Sequence, residues 1–84
     1  MKWTVIYRPD ASDDLATIWA NSTDRRSITD AANAIDKQLG TDPLTAGESR
    51  EGNSRILCEG TLVAYFDVSD ADRTVAVWAV LQLE

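Results

Sequence analysis

Apolar and polar side chains alternate along Lys2–Arg8 (KWTVIYR). Trp3, Val5 and Tyr7 fall on one side of an extended chain, and Lys2, Thr4, Ile6 and Arg8 on the other. Pro9 closes this strand. The period then lengthens: Ala11, Leu15, Ile18 and Trp19 stand at i, i+4, i+7 and i+8, one apolar stripe of a helix that Asp10 can cap. Asp13 and Asp14 fall near the positive end of its dipole and read as dipole complement rather than a paired acid site. The polar run Asn21-Ser22-Thr23-Asp24 breaks the helix and offers caps for a second, on which Ile28, Ala31, Ala32, Ile35 and Leu39 repeat at helical spacing until Gly40 and Pro43. So short a link predicts an antiparallel helix hairpin.

From Leu44 to Asn53 the residues turn small and polar and read as a loop. Three strands follow, Arg55–Cys58, Leu62–Val68 and Thr74–Leu83. The order β-α-α-β-β-β predicts an α+β two-layer domain, with the helix hairpin on one face of a mainly antiparallel sheet and residues 1–84 forming a single unit.

Register decides which side chains share a face, because a one-residue slip sends them all to the other side. A two-residue turn in the first hairpin would set Arg55 among Ala64 and Phe66, burying a guanidinium without partners. The expectation is therefore a three-residue loop, Glu59-Gly60-Thr61, pairing Cys58 with Leu62 and Arg55 with Tyr65. A four-residue loop, Asp70 to Arg73, then pairs Val68 with Val75, Phe66 with Val77 and Ala64 with Ala79. On this reading the face away from the helices collects Arg55, Leu57, Val63, Tyr65, Asp67, Trp78 and Val80, more apolar than an open sheet face needs. A partner, a homodimer or the 44–53 loop would cover it. Trp3, Trp19 and Cys58 are expected inside.

Composition narrows the chemistry. Eight Lys and Arg against fourteen Asp and Glu give a net charge of −6, which argues against a broadly basic nucleic-acid or membrane binder, so no sequence-specific nucleic-acid recognition is expected. The lack of histidine and the single Cys58 remove disulfides, the usual zinc ligands and Ser-His or Cys-His nucleophiles; no metal or cofactor is expected. No long apolar run suggests a leader or a membrane span, and the lone cysteine suits the cytoplasm. Arg25 and Arg26 open the second helix against its dipole and read as a solvated end. Glu51 reads as solvated surface. Arg55, and after it Arg50, are the cations placed best to act; for Arg55 the alternative is an ion pair with Asp67 or Glu48, worth ~0 to 1 kcal/mol.

The chain resembles the RelE/ParE superfamily, the toxins of bacterial type II toxin-antitoxin pairs often labelled plasmid stabilisation proteins. The likeness rests on Pro9 and Ala11 after the first strand, Asp14-Leu15 and Ile18-Trp19, then Ile28, Ala32, Ile35 and Leu39. It continues through Asp42-Pro43, Gly47-Glu48, Arg50, Gly52, Arg55-Ile56-Leu57, Tyr65-Phe66-Asp67-Val68 and Asp72-Arg73-Thr74-Val75 to Val77. The resemblance implies a protein antitoxin as partner and either DNA gyrase or the ribosome as target. In its nuclease branch, basic residues on the sheet and an arginine or tyrosine near the C-terminus cleave mRNA; Arg55 and Arg50 match that set. Leu62-Val63-Ala64 lacks the arginine many of these nucleases carry, and Leu83-Glu84 adds no basic or tyrosine residue. The branch that poisons gyrase acts through protein contacts, for which Tyr65, Trp78, Arg55 and Asp67 are the expected surface.

Overall fold

In the computed structural model, which describes residues 3–50 and 52–83, five strands and two helices follow one another as β1 (Thr4–Tyr7), α1 (Pro9–Asn21), α2 (Arg25–Thr41), β2 (Glu48–Ser49), β3 (Ser54–Glu59), β4 (Leu62–Ser69) and β5 (Thr74–Gln82). The expected strand start at Lys2, the surface reading of Glu51 and the terminal Glu84 lie outside the described residues. The sheet order is β1-β5-β4-β3-β2, antiparallel except for the β1–β5 pair. Two helices on one face of a mainly antiparallel sheet give the expected α+β fold. The two-residue strand β2 is an addition, lying within the stretch expected to be loop.

Each helix begins as its local chemistry directs. Pro9 takes the first turn of α1, where its missing N–H costs nothing, and Arg8 rather than the expected Asp10 is the N-cap. Asp24 caps α2 by accepting from the Ser27 amide at 3.1 Å. Arg25 turns back across the junction, donating to the carbonyls of Trp19 and Ala20 at 3.2 and 3.1 Å. Its charge thus sits at the negative end of α1.

Between the layers lie Ala11, Ile28, Ile35, Leu39, Leu57, Leu62, Ala64, Phe66, Val75, Val77 and Val80, nearly all closed to water. Trp3 is buried as expected, with the Arg73 guanidinium 5.1 Å from its ring centre. Trp19 is not: it is 44% exposed, with Arg25 over its ring at 4.7 Å and its Nε1 donating to Thr29 Oγ1 at 3.2 Å. Helix α1 lies mainly over β5, and its apolar anchor is Ala11. Tyr7 on β1 reaches α2, where its hydroxyl donates to Asp36 Oδ1 at 2.6 Å. Burial first, and then the Asp36 carboxylate, push the Tyr7 phenol well above its ordinary pKa.

Register departs from expectation in two places. The β3–β4 turn has two residues, Gly60-Thr61, so that Glu59 faces Leu62, Cys58 faces Val63, Leu57 faces Ala64, Ile56 faces Tyr65 and Arg55 faces Phe66. Gly60 has φ 57, as the first central residue of a tight hairpin turn of this kind requires. Leu57 is therefore buried among the core residues, while Cys58 is exposed. The second departure is a bulge in β5. Val68–Val75 and Phe66–Val77 pair as expected, but Tyr65 faces Ala79 and Ala64 faces Val80, leaving Trp78 as the extra residue. Val80 turns inward and Leu81 outward.

Candidate functional site

The sheet face opposite the helices is open, and its centre carries the aromatic pair Tyr65–Trp78, with ring centres 5.2 Å apart and planes tilted by 46°. Tyr65 reaches this face because it alternates with Ala64 and Phe66, both buried. Trp78 reaches it by the same alternation, next to the buried Val77, and the bulge that follows turns Val80 inward. A shallow depression between them is lined by Arg50, Ser54, Arg55, Ile56, Tyr65 and Trp78. Val63 lies under this face and is nearly closed to water, whereas Ile6 and Leu81 stand exposed towards its margins.

Of the expected site residues, the structure brings Tyr65, Trp78 and Asp67 to this face, while Arg55, although it also lines the depression, sends its guanidinium to the loop after α2. Arg55 pairs with Phe66 across the hairpin, on the side of the helices. Its Nε donates to the Ala46 carbonyl at 3.0 Å and its Nη2 to that of Gly47 at 3.3 Å. These carbonyls belong to the loop after α2, and they supply the partners whose absence argued against this register. The expected pairs of Arg55 with Asp67 or Glu48 do not form. Asp67 instead accepts from Ser54 Oγ, its cross-strand neighbour, at 2.7 Å, and Glu48 approaches Arg50 at 3.7 Å.

Arg50 is thus the guanidinium that the depression presents to solvent, with its side chain 55% exposed. Its pairing with Glu48 weakens what it could offer a phosphate, since a neighbouring carboxylate repels the same anion. One exposed, partly neutralised cation beside Ile56, Tyr65 and Trp78 makes a poor cradle for a polyanion and a good apolar docking surface with a polar rim. Ser54 and Ile56 are the members of this surface that sequence reasoning missed. Gly60 in the first position of a two-residue turn was the signal for them, outweighed by the apparent cost of burying Arg55.

A second apolar groove runs between the helices, lined in part by Leu15, Trp19, Ile28 and Ala32. Asp14, read as a dipole complement, has another role here: its Oδ2 accepts from the Val80 amide of β5 at 3.3 Å. Among the described residues no cluster of acidic or sulfur ligands is arranged to hold a metal ion, and no helix is long and apolar enough to cross a membrane.

This architecture is shared with solved toxin structures. The toxin-antitoxin complex RelBE2 from Mycobacterium tuberculosis contains a chain that superposes with a TM-score of 0.79 at 21% identity, covering 98% of this chain and 92% of that one. The chromosomal ParDE system of P. aeruginosa matches with a TM-score of 0.68 at 17% identity, over 99% and 98% of the two chains. The isolated E. coli RelE toxin matches with a TM-score of 0.70 at 15% identity, over 98% and 85%. The chain therefore has the fold of RelE and ParE toxins along nearly its whole length. No protein-family model and no curated protein matches the sequence.

Proposed function

We propose that this protein is the toxin-like component of a bacterial type II toxin-antitoxin system, with plasmid stabilisation as a setting, acting in the cytoplasm as a single-domain chain. A protein antitoxin neutralises it, and it acts through protein contacts in the manner of ParE toxins. The observation that carries this reading is the apolar centre of the open sheet face, Ile56, Tyr65 and Trp78, on a fold shared with such toxins. Desolvated aromatic anchors with a polar rim are what protein interfaces draw on, and Arg50 and Asp67 supply that rim. A basic antitoxin segment suits the net charge of −6. DNA gyrase is the target class this reading favours.

Inducing the gene alone should arrest growth, and inducing it with the neighbouring reading frame should restore growth. Normal growth in both cases would sink the toxin reading.

The ribosome-dependent mRNA nuclease is the second reading, supported by the exposure of Arg50 at the rim of the depression. Arg50 and Arg55 are the residues it would use. It predicts mRNA cleavage on the ribosome that Arg50→Ala weakens by roughly a hundredfold, the usual loss for one charge-stabilising donor. Cleavage that is absent, or unaffected by Arg50→Ala and Arg55→Ala, removes that chemistry. A non-toxic dimer built on the same face would show instead as self-association abolished by Trp78→Ala.

A further inference from the structure

The groove between the helices has a volume of about 350 Å3, with Ser12, Ala16 and Trp19 lining it from α1 and Thr29, Ala32 and Asn33 from α2. Because the helices run antiparallel, Ser12 and Asn33 mark one end and Trp19 and Thr29 the other. On α2 the same line continues at helical spacing to Arg25, four residues before Thr29, and to Asp36, three after Asn33. The groove thus has a cation at one end and an anion at the other, about 16 Å apart along the helix.

Both charges are held in place. The Arg25 guanidinium lies over the Trp19 ring and donates from Nε and Nη2 to the carbonyls of Trp19 and Ala20. Asp36 accepts the Tyr7 hydroxyl at Oδ1. Neither forms an ion pair among the described residues, so each is a fixed charge open to a partner.

We propose that this interhelical groove is a dimer interface, occupied by the same groove of a second copy in a twofold arrangement. A half-turn about an axis through the middle of the groove exchanges its two ends. Arg25 then meets the partner's Asp36, and Asp36 the partner's Arg25, as a self-complementary interface requires. Arg8 and Asp24, the residues that open α1 and α2, stand at opposite ends and also meet as opposite charges. Each Trp19, 44% exposed in the single chain, covers the Ser12–Ala16 end of the other groove.

The net charge of −6 opposes association at a distance, but charges farther apart than about 8 Å are screened at physiological ionic strength, leaving the decision to the groups that meet. Helices about 20 and 26 Å long and about 10 Å across offer a face at the low end of the interface range, for a dissociation constant of about 10 to 100 µM. The open sheet face stays free in such a dimer. The inference goes beyond the toxin reading and does not depend on it.

Sedimentation equilibrium on the full chain, at concentrations spanning that range, should show the mass rising from one chain to two. A mass that stays at one chain throughout overturns the proposal. Arg25→Glu and Asp36→Lys should each weaken self-association about tenfold, because two opposite-charge pairs become like-charge pairs. Mixed in equal amounts, the two variants should associate about as well as the parent, since the two altered side chains then meet each other and the two unaltered ones do the same. No gain on mixing the folded variants overturns the twofold pairing. Ala16→Glu alters an exposed helical position and leaves the core alone; it sets two carboxylates near the axis and should abolish the dimer. A dimer that survives Ala16→Glu, or one lost in Trp78→Ala instead, lies on another surface and overturns the proposal. A chain that is monomeric, and whose binding to the neighbouring gene product is abolished by Ala16→Glu, gives the groove to that partner instead.

Discussion

Arg55 donates from Nε to the carbonyl of Ala46 at 3.0 Å, fastening β3 to the loop that leaves α2. A second bond, from Nη2 to Gly47, completes the clasp. Hydrogen bonds with a charged partner contribute about 1.5–3 kcal/mol, and losing this one also removes the donor from the part-buried Ala46 carbonyl. Arg55→Ala is therefore expected to destabilise the fold by about 2 kcal/mol, read as a lower urea midpoint with an unchanged slope. A midpoint equal to that of the parent would remove the clasp from the account of stability.

Gly47 sits in the same loop at φ 64, and a Cβ there would overlap the Ile56 carbonyl oxygen. Backbone strain and overlap act together, so Gly47→Ala should cost about 3 kcal/mol or more, with chemical denaturation as the measurement. Gly52 has a similar φ of 57 but open space around it, so Gly52→Ala should suffer the strain alone, about 1–2 kcal/mol. Equal losses at the two positions would show that the close approach to β3 is unimportant.

The Tyr7–Asp36 bond gives stability a dependence on alkaline pH. Below the ordinary phenol value of 10.0 the tyrosine is protonated in both folded and unfolded chains, and the bond contributes fully. Above it the unfolded chain releases its proton while the folded chain retains it, so stability falls with rising pH at up to about 1.4 kcal/mol per unit for this group. Tyr7→Phe should lose about 1 kcal/mol near neutrality and flatten the decline above pH 10 that Tyr7 causes. Urea unfolding followed from pH 8 to 11 reads both effects; an undiminished alkaline decline in the variant would assign it to other groups.

Trp78 is the residue at which stability and binding should separate. It is 39% exposed and packs on Tyr65, a contact worth about 0.5–1.5 kcal/mol. Trp78→Ala should therefore remain folded, losing about 1 kcal/mol in thermal or urea unfolding. The same change should weaken neutralisation or target engagement at least about tenfold, the loss typical of a central aromatic anchor. Growth arrest and rescue indistinguishable from the parent would move the functional surface elsewhere.

Much of this architecture was legible from local patterns. The helical spacing of Ile28, Ala31, Ile35 and Leu39 foretold the buried side of α2, and the four residues from Asp70 to Arg73 placed Val68 against Val75 and Phe66 against Val77. The candidate surface was half legible: Tyr65, Asp67 and Trp78 lie on the open face, whereas Ser54 and Ile56 replace Arg55 and Leu57. The exposed Trp19 escaped because helical spacing shows which residues share a stripe and not how far the neighbouring helix covers it. Arg25, in turn, looked unfavourable at the start of α2 because its helix was considered without the end of α1 beside it.

The sequence by itself determined the order of elements, the inward side of α2 and of β1, and an acidic balance that argues for protein partners. These follow from period, caps and charge, which are local properties. Tertiary structure alone decided the β3–β4 register, the bulge that turns Val80 inward, and the fate of Arg55. The physical reason is that a strand's faces exchange on a slip of one residue, and the partners that let Arg55 accept the register favoured by the Gly60 turn lie outside the hairpin. The carbonyls of Ala46 and Gly47, brought in from the end of α2, made acceptable a guanidinium that the hairpin alone could not satisfy.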